Sequence, residues 1–234
     1  MHQGTSTIRN VERRIQKSFE GDSTGHDYYH VDRVRRLALQ IAQSEKADLY
    51  VVELIALLHD VGDWKFHNRG LNGQAEILAE FLSDLEISDD LLQRLLSEIP
   101  KISFKGAEVE EDKLSLEAQI VRDADRIDAI GAIGVARCFA YGGSKGMSIF
   151  DTEFNVAKHN DAIEYHNSKS PSIHHFYEKL LLLKDRLHTQ SGKELAKVRH
   201  QFLLDFLNQF FTEWYGENKI PEQFSLENFS LKER

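Results

Sequence analysis

The segment DLYVVELIALLHDVGD, residues 48–63, constrains the fold more than any other part of the sequence. It is apolar on most faces of a helix, and a helix of that kind is stable when it is buried inside a domain. Asp48 stands where its side chain can cap the helix N-terminus. We therefore predict a buried central helix that begins at Asp48 and carries the polar residues of HDVGD at its end.

The remainder of the sequence favours an all-α fold. A chain of 234 residues can bury a substantial core, and only three prolines interrupt a composition rich in helix formers. After Val31, apolar side chains recur at helical spacing up to Ile41, and strand-like alternation is nearly absent. Further helices are predicted at about Leu71–Leu82, Asp89–Ile99, Leu114–Ala140, Ile173–His188 and Lys193–Trp214.

We expect these helices to form a single domain over residues 1–234. Its core would span about 25–140, followed by a loop and C-terminal helices over 141–216 and a tail over 217–234. The polar, glycine-containing stretch 142–172 is either a lid over a binding site or a mobile surface loop. Phenylalanines 202, 206, 210 and 211 recur at helical spacing, as in a core or a homodimer face.

Charge and composition exclude several classes of function. A formal net charge of −9 argues against stable nucleic-acid binding, which needs a basic face. No apolar run has the roughly 20 residues needed to cross a bilayer, and the first residues lack the apolar stretch of a signal peptide. The single cysteine, Cys138, excludes an internal disulfide and fits a reducing compartment, so we expect a cytoplasmic protein.

His59 and Asp60 lie at the end of the apolar segment, where adjacent polar side chains need a partner. A buried carboxylate is costly unless it is paired or binds a metal. His30 lies near the start of the preceding helix, and Asp125 lies in the helical stretch AQIVRDADRIDAIG. Imidazole and carboxylate together suit Mn, Fe, Co, Ni or Zn. For either histidine alone, a hydrogen-bonded core residue is the alternative.

The order H…HD…D, each member in an apolar helical context, resembles the HD-domain superfamily of metal-dependent phosphohydrolases. The strings GHDYYHVDRV, LLHDVGDWKF, VRDADRIDAIGAIG and HHFYEKLLLLKDRL look like the bacterial stand-alone branch, which includes nucleotide pyrophosphohydrolases. The resemblance implies an all-α helical bundle that binds one divalent cation through His30, His59, Asp60 and Asp125. It favours Mn²⁺, with Mg, Fe, Co, Ni or Zn as alternatives. Dinuclear relatives add two histidines between the HD pair and the last Asp, and this chain has only His67 there.

Asp63 follows Asp60 by three residues and would share its face if the helix continued. It is the candidate catalytic residue, because its carboxylate could orient or deprotonate the attacking water. Related nucleotidases have Glu at this offset, and the shorter Asp reaches less far. A helix-end carboxylate after Gly62 is the alternative.

Candidate substrate-binding residues lie near these ligands or in a glycine-rich stretch: His26, Arg33, Lys65, Lys105 and Lys145. The lysines at 65 and 105 would hold phosphate oxygens unless they are solvated surface residues. His26 would approach the substrate from the face of His30 or stay a solvated cap-proximal histidine. Arg33 would bind phosphate or brace a carboxylate. Lys145, in YGGSKG, belongs to a phosphate cradle or to a plain loop.

The predicted function is hydrolysis of a nucleoside triphosphate to monophosphate and pyrophosphate by metal-activated water. A nucleoside 5′-monophosphate phosphatase and a non-catalytic, metal-dependent nucleotide sensor are the alternatives. A structural metal that pins three helices together is a further reading. The expected partner is a nucleotide or another small phosphorylated substrate, with a homodimer possible and no membrane association.

Overall fold

The computed structural model describes residues 2–19, 27–63, 73–104, 106, 109–156, 169–216 and 220–230. These residues contain nine α-helices and no β-strand, which confirms the all-α fold. The helices are α1 (His2–Ser18), α2 (Tyr28–Glu45), α3 (Leu49–Leu58), α4 (Gly73–Leu82), α5 (Asp89–Glu98), α6 (Leu116–Asp128), α7 (Gly131–Ser144), α8 (Ser172–Glu178) and α9 (Gln190–Tyr215). Short 3₁₀ helices occupy Ile99–Lys101, Leu180–Arg186, Glu222–Phe224 and Glu227–Phe229.

The chain divides into two compact units. The first contains Met1–Phe104 and Glu110–Asp125, and the second contains Lys105–Val109 and Arg126–Arg234. The boundary falls inside α6. The single-domain organisation expected from the sequence stays a prediction. None of the described helices is both long enough and apolar enough to cross a lipid bilayer.

The core of the first unit is built around α3, which packs against α1 and α2. Seven side chains of α3 are buried, as predicted for a central helix. The Asp48 carboxylate caps the helix by accepting from the backbone N–H groups of Tyr50 and Val51. The helix ends at Leu58, so the condition under which Asp63 would share a helix face with Asp60 is not met. His59 to Asp63 instead form a turn.

The helix α1 has no counterpart among the predicted helices. Its apolar side chains Ile8, Val11 and Ile15 are buried. The Arg14 guanidinium donates to both carboxylate oxygens of Asp84, at 2.7 and 2.6 Å, and to the Phe81 carbonyl at 2.8 Å. This side chain therefore ties α1 to the end of α4.

The single helix predicted at Leu114–Ala140 is wrong, because the chain turns between α6 and α7. Ile130 is extended and Gly131 has φ +78°, a left-handed conformation that favours glycine. A Cβ at Gly131 would also lie 3.1 Å from the Arg199 side chain. The helix α7 then runs to Ser144, so residues 142–144 are helical and not part of a loop. Residues 157–168 of the predicted excursion lie outside the described residues.

The helix predicted at Ile173–His188 is also wrong in its second half. The α-helix α8 ends at Glu178, and Leu180–Arg186 is a 3₁₀ helix. The helix α9 lies close to its predicted place. Its Phe211 is buried in an aromatic cluster with Phe150 and Phe224, whereas Phe202 is 44% exposed. The core interpretation thus holds for Phe211 and not for Phe202.

Candidate metal centre

A hydrogen bond from the His59 ring to the backbone fixes this side chain at the end of α3. Its Nδ1 lies 2.7 Å from the backbone oxygen of Ala56, and since a carbonyl only accepts, Nδ1 carries the hydrogen. This tautomer leaves the Nε2 lone pair available for a metal. The side chain is 1% exposed, and Asp60 is next to it in the turn that follows.

His30 approaches the same point from α2. It lies in the first turn of that helix, where the Asp27 carboxylate accepts from the His30 backbone N–H at 2.9 Å. The cap fixes where the helix begins and therefore which way the His30 side chain leaves it. The His30 side chain is completely buried.

The ligand atoms of His30, His59 and Asp60 all lie within 4.8 Å of one another. The two Nε2 atoms are 3.3 Å apart, and the Asp60 carboxylate oxygens lie 3.3 Å from His30 Nε2 and 3.5 Å from His59 Nε2. N–H···O hydrogen bonds usually measure about 2.7–3.2 Å. Two atoms held at about 2.1 Å from one ion, at right or tetrahedral angles, are about 3.0–3.4 Å apart. The spacing therefore fits ligands that share a divalent cation.

Asp125 lies beside this cluster on α6. Its Oδ1 is 3.5 Å from His30 Nε2, although among the described residues the group whose ligand atoms all lie within 4.8 Å of one another contains His30, His59 and Asp60 without Asp125. The Asp125 side chain is 27% exposed, against 7% for Asp60. The Asp125 side is thus the more open side of the cluster, as a site that exchanges water and substrate requires.

Asp63 is close in sequence to the cluster but has a different environment. Its side chain is buried, and the Ser103 hydroxyl donates to its Oδ2 at 2.7 Å. Ser103 follows the 3₁₀ helix at 99–101, where the buried Arg122 guanidinium donates to the Lys101 carbonyl at 2.7 Å. Sequence reasoning did not predict Ser103, because an isolated serine 40 residues from its partner carries no pattern.

The other predicted substrate residues are only partly visible. His26, Lys65 and Lys105 lie outside the described residues, as does His67. Arg33 lies one turn after His30 on α2 and is partly exposed. Its phosphate contact stays a prediction.

The first four residues of the YGGSKG stretch are helical and not a loop. Gly142 and Gly143 belong to the last turn of α7, and Lys145 is its C-terminal cap residue. The Lys145 ammonium lies over the Tyr141 ring, 5.6 Å from its centroid. The substrate contact of Lys145 stays a prediction.

The charged residues that follow Asp125 have structural partners. Arg126 donates to the backbone carbonyl of Arg186. Asp128 accepts from the Arg137 guanidinium at 2.9 Å. The latter is an internal salt bridge at the end of α6.

The family model described as HD domain matches residues 27–130, the part of the chain that contains all four predicted ligands. The chain belongs to the HD-domain superfamily. It is 35% identical over 196 residues to YpgQ of Bacillus subtilis, covering 83% of this chain and 87% of YpgQ.

Solved structures agree with this assignment. A protein of Lactobacillus plantarum has TM-score 0.81 and 33% identity, over 91% of this chain and 98% of its own. An HD-superfamily hydrolase of Bacillus thuringiensis has TM-score 0.68 and 33% identity, over 92% and 100%. YpgQ in complex with ADP has TM-score 0.71 and 30% identity, over 95% and 100%. The predicted superfamily is confirmed.

Proposed function

We propose that this HD-superfamily hydrolase is a divalent-metal-dependent nucleotide phosphohydrolase. The preferred reaction converts a nucleoside triphosphate to the monophosphate and pyrophosphate. The observation that carries the proposal is the convergence of two buried imidazoles and the Asp60 carboxylate at 3.3–3.5 Å. The crystal structure of YpgQ in complex with ADP supports a nucleotide as the ligand.

Four side chains would hold one cation in this proposal: His30, His59, Asp60 and Asp125. Mn²⁺ is preferred, on the family resemblance. A bound divalent cation lowers the pKa of water and polarises a phosphoryl oxygen, the two requirements of phosphate-ester and anhydride hydrolysis. The greater exposure of Asp125 favours this reading over a structural metal, whose shell would be closed by protein atoms.

Asp63 would take the proton from the attacking water. The hydrogen bond from Ser103 fixes the Asp63 carboxylate, since a buried carboxylate bonded through one oxygen cannot rotate freely. Ser103 is therefore a positioning residue for the candidate base. Cations at Lys65, Lys105 and Arg33 would then offset phosphate charge.

The test is a nucleotide panel assayed with Mn²⁺, Mg²⁺, Co²⁺ or Ni²⁺, with all products identified. We expect monophosphate plus pyrophosphate from a triphosphate. The activity should be lost in Asp60→Ala and kept in Asp205→Ala, which removes an exposed carboxylate on α9. Orthophosphate from a monophosphate would instead identify a phosphatase. Calorimetric binding of nucleotides by fully metallated protein without turnover would replace the hydrolase proposal with a sensor.

A further inference from the structure

The side-chain amide of Gln74 contacts the turn that carries His59 and Asp60. Its Nε2 donates to the backbone carbonyl of His59 at 3.1 Å and to that of Val61 at 3.2 Å. Gln74 is the second residue of α4 and is 3% exposed. A buried amide nitrogen on a neighbouring helix thus donates to two backbone carbonyls of the turn that carries His59 and Asp60.

The His59 carbonyl does not receive the hydrogen bond that a continuing helix would provide. Because α3 ends at Leu58, the N–H of Asp63, four residues after His59, donates to a different carbonyl. Within the turn, Val61 N–H donates to Leu58 and Asp63 N–H donates to Asp60. The amide group has two hydrogens, one for each of the carbonyls that Gln74 contacts.

These bonds act on the peptide before Asp60 and on the peptide after Val61. The His59 carbonyl belongs to the peptide that enters Asp60, and the Val61 carbonyl belongs to the peptide that leaves Val61. Holding both restricts the backbone between them and therefore the direction of the Asp60 side chain. The contact of His59 Nδ1 with Ala56 restrains the neighbouring ligand independently.

We propose that Gln74 is a positioning residue for the metal centre, whose amide sets the turn that presents His59 and Asp60 to the cation. The proposal rests on the metal site of the proposed function. Nothing in the sequence signalled it, since Gln74 is 15 residues from His59 and belongs to no motif.

The test replaces Gln74 by methionine, which has a similar length and good helix propensity but no hydrogen-bond donor. The matched control is Glu76→Met, at an exposed position of the same helix. The Mn²⁺ dissociation constant is measured by calorimetry on folded protein, and unfolding by urea is followed in EDTA. We expect Gln74→Met to weaken Mn²⁺ binding by about 10-fold or more, the usual effect of losing an outer partner of a ligand. Glu76→Met should bind like the wild type.

A dissociation constant within twofold of wild type would overturn the proposal, even if stability in EDTA falls, because the amide would then serve folding alone. Should Gln74→Met not fold, Gln74→Glu gives the same comparison, since it keeps the size but replaces the donor by oxygen. A wild type that binds Mn²⁺ but hydrolyses no nucleotide contradicts only the proposed function. A wild type that binds none of the four metals overturns the role of Gln74 as well.

Discussion

Two carboxylates near the end of α3 differ in what surrounds them. Asp60 lies against two imidazole nitrogens, whereas Asp63 accepts a hydroxyl hydrogen bond from Ser103. The first environment fits a metal ligand. The second is that of a group held in one orientation, which is what a general base requires.

Removing the Ser103 hydroxyl should lower kcat without changing metal affinity. We expect Ser103→Ala to reduce kcat by about 10- to 100-fold, since a small misplacement of a catalytic group has effects of that size. The Mn²⁺ dissociation constant should stay within twofold of wild type. Steady-state kinetics and calorimetry measure the two quantities. Ser103→Thr keeps a hydroxyl and should recover part of the rate, and wild-type kcat in Ser103→Ala would remove Ser103 from the mechanism.

The buried cluster of His30, His59 and Asp60 could be predicted from sequence, while the residues that contact its turn could not. His59 and Asp60 are adjacent and follow an apolar segment, so their burial is visible in the chain itself. Gln74 and Ser103 form only one or two hydrogen bonds each, to partners 13 to 40 residues away, and such contacts depend on how helices pack. The tertiary fold alone brings these partners together.

At the scale of elements, hydrophobic periodicity predicted where helices lie better than where they begin and end. The predicted helix over Leu114–Ala140 failed because apolar residues continue through Ile127, Ile130 and Ile133 at helical spacing. The helix is broken at Gly131, which has a left-handed φ of +78°. Glycine permits this conformation but does not require it, so the residue type alone does not predict the break. The turn that follows α3 likewise contains a left-handed glycine, Gly62.

Glycine is favoured at position 62 for two reasons: the backbone conformation there and the lack of space for a side chain. Its φ is +65°, and an added Cβ would lie 2.8 Å from Ile77 Cβ on α4. A left-handed residue with a side chain costs about 1–2 kcal/mol and overpacking about 1–3 kcal/mol. We therefore expect Gly62→Ala to lower the free energy of unfolding by about 2–4 kcal/mol, measured by urea denaturation.

The control is Gly143→Ala in α7, where an added Cβ meets nothing within 4 Å. Alanine is the better helix former, so this variant should be as stable as the wild type or slightly more stable. Equal stability of Gly62→Ala and wild type would mean that the turn relaxes away from Ile77. In that case Mn²⁺ binding should weaken instead, because His59 and Asp60 precede the same glycine.

At the scale of the whole chain, buried histidines outside the metal centre connect α-helices to segments that are not α-helical. His200 on α9 is fully buried, and its Nε2 donates to the Phe229 carbonyl at 2.7 Å. His174 on α8 donates in the same way to the Phe154 carbonyl at 2.9 Å. Burial lowers the pKa of both imidazoles below the ordinary histidine value. Burial therefore favours the neutral form of both imidazoles in the folded protein.

A lowered pKa makes the stability depend on pH in a defined direction. Below the unfolded value of about 6.5, the unfolded chain binds protons at His200 that the folded chain does not bind. The free energy of unfolding therefore falls as the pH drops below that value, whereas above it His200 causes no such loss. We expect His200→Gln, which keeps a donor but does not titrate, to lose less stability than the wild type between pH 8 and pH 5.5.

Urea denaturation at both pH values, with EDTA in every sample, measures this difference between the two proteins. EDTA removes any contribution from metal release at acid pH. At pH 8, where His200 is neutral in both states, the two proteins should differ only by the replaced contacts. An equal loss of stability on acidification would place the pH sensitivity elsewhere, and His174→Gln would then be the next variant to compare. A steeper loss in His200→Gln would contradict the sign derived from burial.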